Sequence, residues 1–167
     1  VGGIPIEGFD LGNSPSEIRR QAPSVFKGRI VVQRTSAGVQ GALAALATAD
    51  EVLVAGYTNA RATADVILAK KPKQVSLVAM GWELKERAPE DEGCGCYIAH
   101  LLGAGDYDHN KTLSEIVSQE TAQRFLRADN PHFPAEDPIL CLQRDVHSFA
   151  LQVERDPEYV FIKKAII

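Results

Sequence analysis

Three cysteines, one methionine, one tryptophan and no long apolar run are all that 167 residues offer in these categories, and each scarcity closes off a class of protein. Cys94, Cys96 and Cys141 are odd in number, and the first two stand too close together to staple distant elements. A disulfide scaffold is therefore excluded, and reduced thiols in a cytoplasmic protein are expected. The longest apolar-rich stretch, Val39 to Ala49, is alanine-rich and falls short of the ~20 residues a membrane-spanning helix needs. Lys and Arg number 18 against 22 Asp and Glu, a formal charge of −4, and no basic run forms a tail or stripe. Neither nucleic acid nor a membrane surface is an expected partner. The G-x-G-x-x-G, P-loop and G-x-S-x-G fingerprints are missing, which removes the usual nucleotide-binding and serine-hydrolase signatures. No basic segment leads into an apolar signal core, and the opening Val1 suits a fragment or a processed chain.

What is present is the composition of a soluble globular chain, 45% hydrophobic and 24% charged, long enough to bury a core without cross-links. Arg29 to Arg34 is a β-branched run, and Ala37 to Thr48 is an Ala/Leu-rich helix former. The pattern repeats, with a strand expected at Glu51 to Gly56, a helix at Asn59 to Lys70 and a third strand at Gln74 to Ala79. Alternating strands and helices with near-continuous apolar strands predict an α/β fold. Its expected form is a three-layer α/β/α arrangement, a mostly parallel sheet with helices on both faces, in one domain over 1–167. Farther on, helices are expected from Cys94 to Leu102, from Leu113 to Asp129 with Thr112 as cap and Glu115 closing a capping box, and from Pro138 to Asp145. A last strand is expected at Tyr159 to Ile162.

In such folds ligands sit beyond the carboxyl ends of the strands, where helix starts offer unpaired N–H groups. Thr35-Ser36-Ala37-Gly38 is such a turn, suited to an anionic oxygen; Thr35 or Ser36 acting as a plain helix cap explains it equally. Asn59 and Arg61 mark a second helix start, where Arg61 is either an anion clamp or a solvated helix residue. Glu90-Asp91-Glu92 either complement a helix dipole or hold Mg²⁺. Asp106 to Asn110 mimics a Ca²⁺ loop but has Lys111 where glycine belongs. Cys94, Cys96 and His100 lack a fourth ligand and read as packing groups, as do Cys141, His109, His132 and His147.

Glu7 to Glu17 is the most informative stretch. Ser14 as cap, Pro15 at the first helical position and Glu17 closing a capping box account for its second half, but nothing local accounts for Gly8-Phe9-Asp10-Leu11-Gly12-Asn13. The ten residues Gly8 to Glu17 closely resemble the G-F-D-x-G-N-S-P-x-E motif of the 2-phosphosulfolactate phosphatase (ComB-like) family. Thr35 to Gln40 is similar to that family's T-T-N-G-T turn, and Glu90-Asp91 with Cys94 to its E-D-x-x-C. The resemblance implies Mg²⁺-dependent hydrolysis of the phosphate ester of a small 2-hydroxy acid, on a route to coenzyme M. It implies catalytic roles for Asp10 and Asp91, and Mg²⁺ on Asp10, Glu90 and Asp91. Substrate contacts fall to Asn13, Ser14, Thr35, Ser36, Gly38, Asn59 and Arg61. The partner is then a small anionic phospho-acid, with homodimerisation left open. The family's N-terminal D-x-x-R-A-T motif does not occur here, so the chain is expected to be the C-terminal two-thirds of a longer member. Ala37 and Val39 replace a polar Asn and Thr of the turn, and these departures favour a second reading, a non-catalytic or altered-specificity relative that binds a small anion.

Overall fold

Helix-start chemistry governs much of the computed structural model, which describes residues 6–35, 37–82 and 85–165. Its helices are α1 (Pro15–Arg19), α2 (Gly38–Ala45), α3 (Ala60–Lys70), α4 (Pro89–Leu101), α5 (His109–Ser118), α6 (Glu120–Leu126) and α7 (Glu136–Cys141). Its strands are β1 (Val52–Val54), β2 (Ala150–Arg155) and β3 (Val160–Ala165). Ser14 caps α1 as expected, its Oγ accepting from the Glu17 N–H at 3.3 Å with Pro15 in the first turn. For α5 the cap is Asp108, which accepts from the Lys111 N–H at 3.0 Å; Thr112, the expected cap, sits one turn inside and donates its hydroxyl to the Asp108 carbonyl. A carboxylate at the helix start satisfies an orphan N–H directly, so Asp108 wins the position.

The helix expected to run to Asp129 breaks at Gln119, whose ψ of 147° is extended, and resumes as α6. Gln123 Nε2 donates to the Val117 carbonyl at 2.6 Å, satisfying one acceptor that the break exposes. Helix α4 begins at Pro89 and not at Cys94, so Glu90, Asp91 and Glu92 lie within its first turn. Proline needs no donor there, and the acids meet the positive end of the helix dipole.

The fold is mixed α/β, but the sheet among the described residues differs from the parallel one expected. Its order is β1-β2-β3 and both pairings are antiparallel, with Val52 opposite Val153 and Arg155 opposite Val160. The β2–β3 turn is held by Asp156, whose carboxylate accepts from the Glu158 and Tyr159 N–H groups at 2.8 and 2.7 Å. Of the three strands read from the first half of the sequence, only the second forms. Residues 29–34 and 74–79 contain the β-branched side chains expected of strands but join no ladder among the described residues. Strand composition reports fit to a pleated surface, and a strand exists only once a partner supplies the other half of each hydrogen bond.

The main buried cluster lies where β1 hands over to α3: Tyr57, Ala60, Cys94, Tyr97, Ile98 and Ile116. Two glycines of α4 face opposite situations. A Cβ on Gly93 would stand 2.5 Å from the Tyr57 hydroxyl and 2.6 Å from Thr112 Cγ2, whereas one on Gly95 would meet nothing within 4 Å. Alanine gains about 1 kcal/mol over glycine in a helix interior, while overpacking costs about 1–3 kcal/mol. Gly95→Ala should therefore stabilise the protein by about 0.5–1 kcal/mol and Gly93→Ala should destabilise it by about 1 kcal/mol or more, read as opposite shifts of the urea midpoint.

Candidate functional site

The glycine-rich motif is tied to two distant parts of the chain. Asn13 Nδ2 donates to the Arg34 carbonyl at 3.1 Å, fixing the motif to the end of segment 29–34. Ser14 Oγ donates to Asp137 Oδ1 at 3.0 Å, and the Ser16 N–H donates to the same oxygen at 3.0 Å. Asp137 and Ser16 are buried, so this carboxylate compensates for its own desolvation by accepting two donors. Arg20 pairs with the neighbouring Glu136 at 2.7 Å on the exposed side. Ser14 is thus committed to architecture as both cap and clamp. Asp10 is exposed and makes no hydrogen bond or ion pair with any described residue.

Beyond Arg34 the chain enters the turn that starts α2. Thr35 Oγ1 accepts from the Val39 N–H at 3.2 Å in the first turn of α2, although the N-cap position itself is Ala37, which makes no side-chain cap bond. A Cβ on Gly38 would come 3.4 Å from that same oxygen, which makes glycine the easy residue here. Ala37 is buried and Val39 is exposed. Ser36, the remaining expected contact of this turn, lies outside the described residues.

Helix α2 then leads to the third segment. Gly41 leaves the space that the Met80 side chain fills, and the next residue, Gly81, donates its N–H to Asp91 Oδ2 at 2.8 Å. Gly81 has φ of +67°, and a Cβ there would collide with the Glu86 carbonyl. Only glycine makes this turn without strain. Asn13, the Thr35–Gly38 turn and Asp91, read as separate motifs, are joined by this run of contacts. The Glu90 side chain makes no hydrogen bond or ion pair with the described residues, and Glu92 pairs with Arg87 at 2.5 Å, which lowers the Glu92 carboxyl and raises the Arg87 guanidinium.

Asn59 and Arg61 belong to a second cluster at the start of α3. Asn59 is buried; its Oδ1 accepts from the Gly56 N–H at 2.9 Å, and its Nδ2 has no partner among the described residues. Arg61 is exposed, with its backbone N–H donating to Asp145 Oδ1 at 2.9 Å. Asp145 accepts from the Tyr97 hydroxyl at 2.5 Å through its other oxygen, holds a left-handed φ of +57° and donates its own N–H to the Tyr57 carbonyl. Arg144 lies over the Tyr97 ring at 5.3 Å. The chain's own carboxylate therefore occupies the anion-favouring start of α3.

Burial and Asp91 push the Cys94 thiol up to about 12, so at neutral pH it is a packing group and not a nucleophile. Burial followed by the Tyr107 hydroxyl raises Tyr57, and burial followed by Asp145 raises Tyr97. Burial and then Arg144 lower His109, whose Nδ1 lies 3.0 Å from the Tyr107 hydroxyl.

No three His, Cys, Asp or Glu side chains among the described residues gather closely enough to hold a metal ion. The expected set of Asp10, Glu90 and Asp91 is thus not assembled as a three-ligand site. Glu90 and Asp91 alone have the donor chemistry for a hard cation that takes one or two carboxylates and completes its shell with water and substrate oxygens. The sequence reading missed Asp137, Asp145 and Met80. Nothing in local spacing pairs position 14 with 137 or 61 with 145; the helix expected at Pro138 to Asp145 forms earlier, as α7, and carries Asp137 in its first turn.

Among known proteins, the family model described as 2-phosphosulpholactate phosphatase matches residues 1–154. The chain is 29% identical to a probable 2-phosphosulfolactate phosphatase of Bacillus subtilis over 168 residues, covering 99% of this chain and 70% of the relative. It is 38% identical to the protein of that name from Synechococcus sp. strain CC9605 over 146 residues, 87% of this chain and 55% of the relative. The Deinococcus radiodurans counterpart is 36% identical over 106 residues, 64% of this chain and 43% of the relative. The chain thus spans about half the length of several of these relatives.

Thiol chemistry tests the site's electrostatics. With Cys96 exposed and Cys94 buried, alkylation of the folded protein at pH 8 should label Cys96 much faster than Cys94, the difference vanishing in denaturant. Peptide mass mapping over time reads both rates.

Proposed function

Because the chain belongs to the 2-phosphosulfolactate phosphatase family, we propose that it hydrolyses the phosphate ester of a small anionic 2-hydroxy acid, releasing the hydroxy acid and inorganic phosphate. The supporting observation is the run of contacts from Asn13 through Arg34, Thr35 and Met80 to Asp91, which links three motifs separated by some 80 positions of sequence. In this reading the start of α2 presents backbone N–H groups to the phosphoryl oxygens, and Gly38 keeps that approach open. Asn13 orients the turn from behind. Arg61, exposed and with no side-chain hydrogen bond or ion pair among the described residues, holds the carboxylate or sulfonate of the substrate.

Asp10 and Asp91 are the proposed catalytic carboxylates. Glu90 and Asp91 are the residues that would hold Mg²⁺, with the Gly81 N–H orienting the Asp91 carboxylate. When bound, such a cation offsets the charge of the phosphoryl group. A mostly parallel three-layer sheet and a cytoplasmic location belong to the same reading. No helix among the described residues is long and apolar enough to cross a membrane.

The assay is phosphate release from 2-phosphosulfolactate and 2-phospholactate, with Mg²⁺ and with a chelator. Turnover is expected with Mg²⁺ and should be lost on chelation. Asp91→Asn keeps an acceptor for the Gly81 N–H while removing the charge, so it should lower kcat/KM by about 10²–10⁴ with little change in Tm. Release of phosphate from neither compound overturns the proposal.

Buried, apolar Ala37 and the apolar Val39 side chain at the α2 start favour a second reading, in which the chain binds small anions without hydrolysis or with altered specificity. Stabilisation by inorganic phosphate without turnover selects the non-catalytic form. If turnover occurs, the two missing polar groups should relax acid preference, giving kcat/KM for the sulfonate within about a hundredfold of that for the carboxylate analogue, less than ~2.7 kcal/mol of discrimination.

A further inference from the structure

Two guanidinium groups meet beside one carboxylate that pairs with neither. The stretch after α7 is pinned to the start of α3 by two main-chain bonds, the Asp145 N–H donating to the Tyr57 carbonyl at 3.0 Å and the His147 N–H to the Thr58 carbonyl at 2.8 Å. Arg144 thereby comes to lie over the Tyr97 ring, its Cζ 5.3 Å from the centroid. Asp145 follows Arg144 in the chain and bonds the main chain of Arg61, yet its two oxygens are taken by the Arg61 N–H at 2.9 Å and the Tyr97 hydroxyl at 2.5 Å. It forms no ion pair with either side chain. Asp65, one turn along α3 from Arg61, forms none either, and Asp108 at the start of α5 is engaged by the Lys111 N–H. Two exposed cations therefore share a surface with no ion-pair partner among the described residues.

Such a surface suits an anion. Tyr97 is itself fixed, packed on Tyr107 with centroids 4.9 Å apart and on Tyr57 at 6.2 Å. A guanidinium within about 6 Å of an aromatic face is attracted by the ring quadrupole, and the Arg144 N–H donors make no hydrogen bond among the described residues. The fork is thus held in place, with its donors free, before a ligand arrives. Burial and then Asp145 raise the Tyr97 hydroxyl, while Arg144 and then Arg61 draw it back, so both cations act at one point. A carboxylate offers two oxygens, which a single arginine fork can take; two forks call for a group with three or four. We propose that Arg61 and Arg144 clamp a tetrahedral oxyanion of the sulfate or phosphate type, with Arg144, stacked on Tyr97, setting the preference over a carboxylate. Asp91 lies in the first turn of the helix that carries Tyr97, six residues or about 9 Å of axial rise earlier. The oxyanion is either an acid group of a substrate that reaches toward Asp91 or a free inorganic anion, and only the first source rests on the phosphatase reading.

The probes are sodium sulfate and sodium acetate, titrated calorimetrically into the 167-residue chain without Mg²⁺ and at constant ionic strength. Sulfate is expected to bind at least about tenfold more tightly than acetate. Arg144→Gln and Arg61→Gln should each weaken sulfate at least about tenfold, and the double variant should lose less than the product of the two, because both forks hold one ion. Arg144→Lys keeps the charge and loses the fork, so it should weaken sulfate nearly as much as Arg144→Gln. Arg155→Gln, which removes an exposed cation at the end of β2, should leave the affinity unchanged. Both clamp side chains are exposed, so an unchanged Tm verifies that each variant is folded. With 2-phospholactate present, displacement of sulfate puts the clamp in the substrate site, and simultaneous binding makes it a site for a free inorganic anion. Phosphate release enters none of these readouts, so turnover without sulfate binding, or sulfate binding without turnover, separates the clamp from the phosphatase reading. The clamp is overturned by no measurable sulfate binding, by acetate binding as tightly as sulfate, by an affinity unaffected in the two Gln variants, or by Arg144→Lys matching the parent chain.

Discussion

The seat of Tyr57 against the small-residue face of α4 is the contact on which the described structure depends. Tyr57 leaves β1 and turns into α3, and its ring is buried beside Cys94 and stacked on Tyr97 with centroids 6.2 Å apart. Gly93 supplies the space for the hydroxyl and for Thr112 of α5. One ring therefore sets the approach of α3, α4 and α5 together. Because an interior at crystal-like density has no slack for a methyl group at this point, the start of α4 is placed by the core and not by its own acids. The position of Glu90 and Asp91 is a consequence of packing at Gly93, within one helical turn.

Polar groups extend that constraint to the chain's remote parts. Asp145 bridges the start of α3 to Tyr97 from a left-handed backbone conformation, which costs about 1–2 kcal/mol for a residue with a Cβ and persists because both carboxylate oxygens and the main-chain N–H are engaged. Asp137 does the equivalent for the N-terminal motif. A buried carboxylate is costly unless donors converge on it, so the two donors from Ser14 and Ser16 make the α1–α7 contact specific. Hydroxyl residues of the phosphatase motif thus divide their labour. Ser14 and Thr35 hold backbone, whereas the side chains of Asp10, Glu90 and Arg61 make no hydrogen bond or ion pair among the described residues.

The family relation and the architecture meet at the strands. The helices α2, α3 and α4 are formed, yet of the segments 29–34, 52–54 and 74–79 only the second, β1, has a ladder partner among the described residues, and that partner is antiparallel. Hydrogen-bonded pairing is a property of two segments at once. Helices close their own bonds, whereas residues 30–33 and 74–79 make no backbone hydrogen bond among the described residues.

Local chemistry was legible in the sequence. Ser14 with Pro15, the span of α3 and the burial of Cys94 were readable from residue type and spacing over a few positions, and the motif Gly8 to Glu17 was enough to identify the family. Tertiary structure decided everything that needed a second, distant group. It chose Asp108 over Thr112, broke the long helix at Gln119, returned β2 antiparallel to β1, and paired Ser14 with Asp137 and Arg61 with Asp145. It also set Asp10 apart from any three-ligand cluster with Glu90 and Asp91. Propensity and capping act over one helical turn, so sequence spacing records them; long-range pairing is settled by which surfaces bury each other, and no spacing along the chain encodes that.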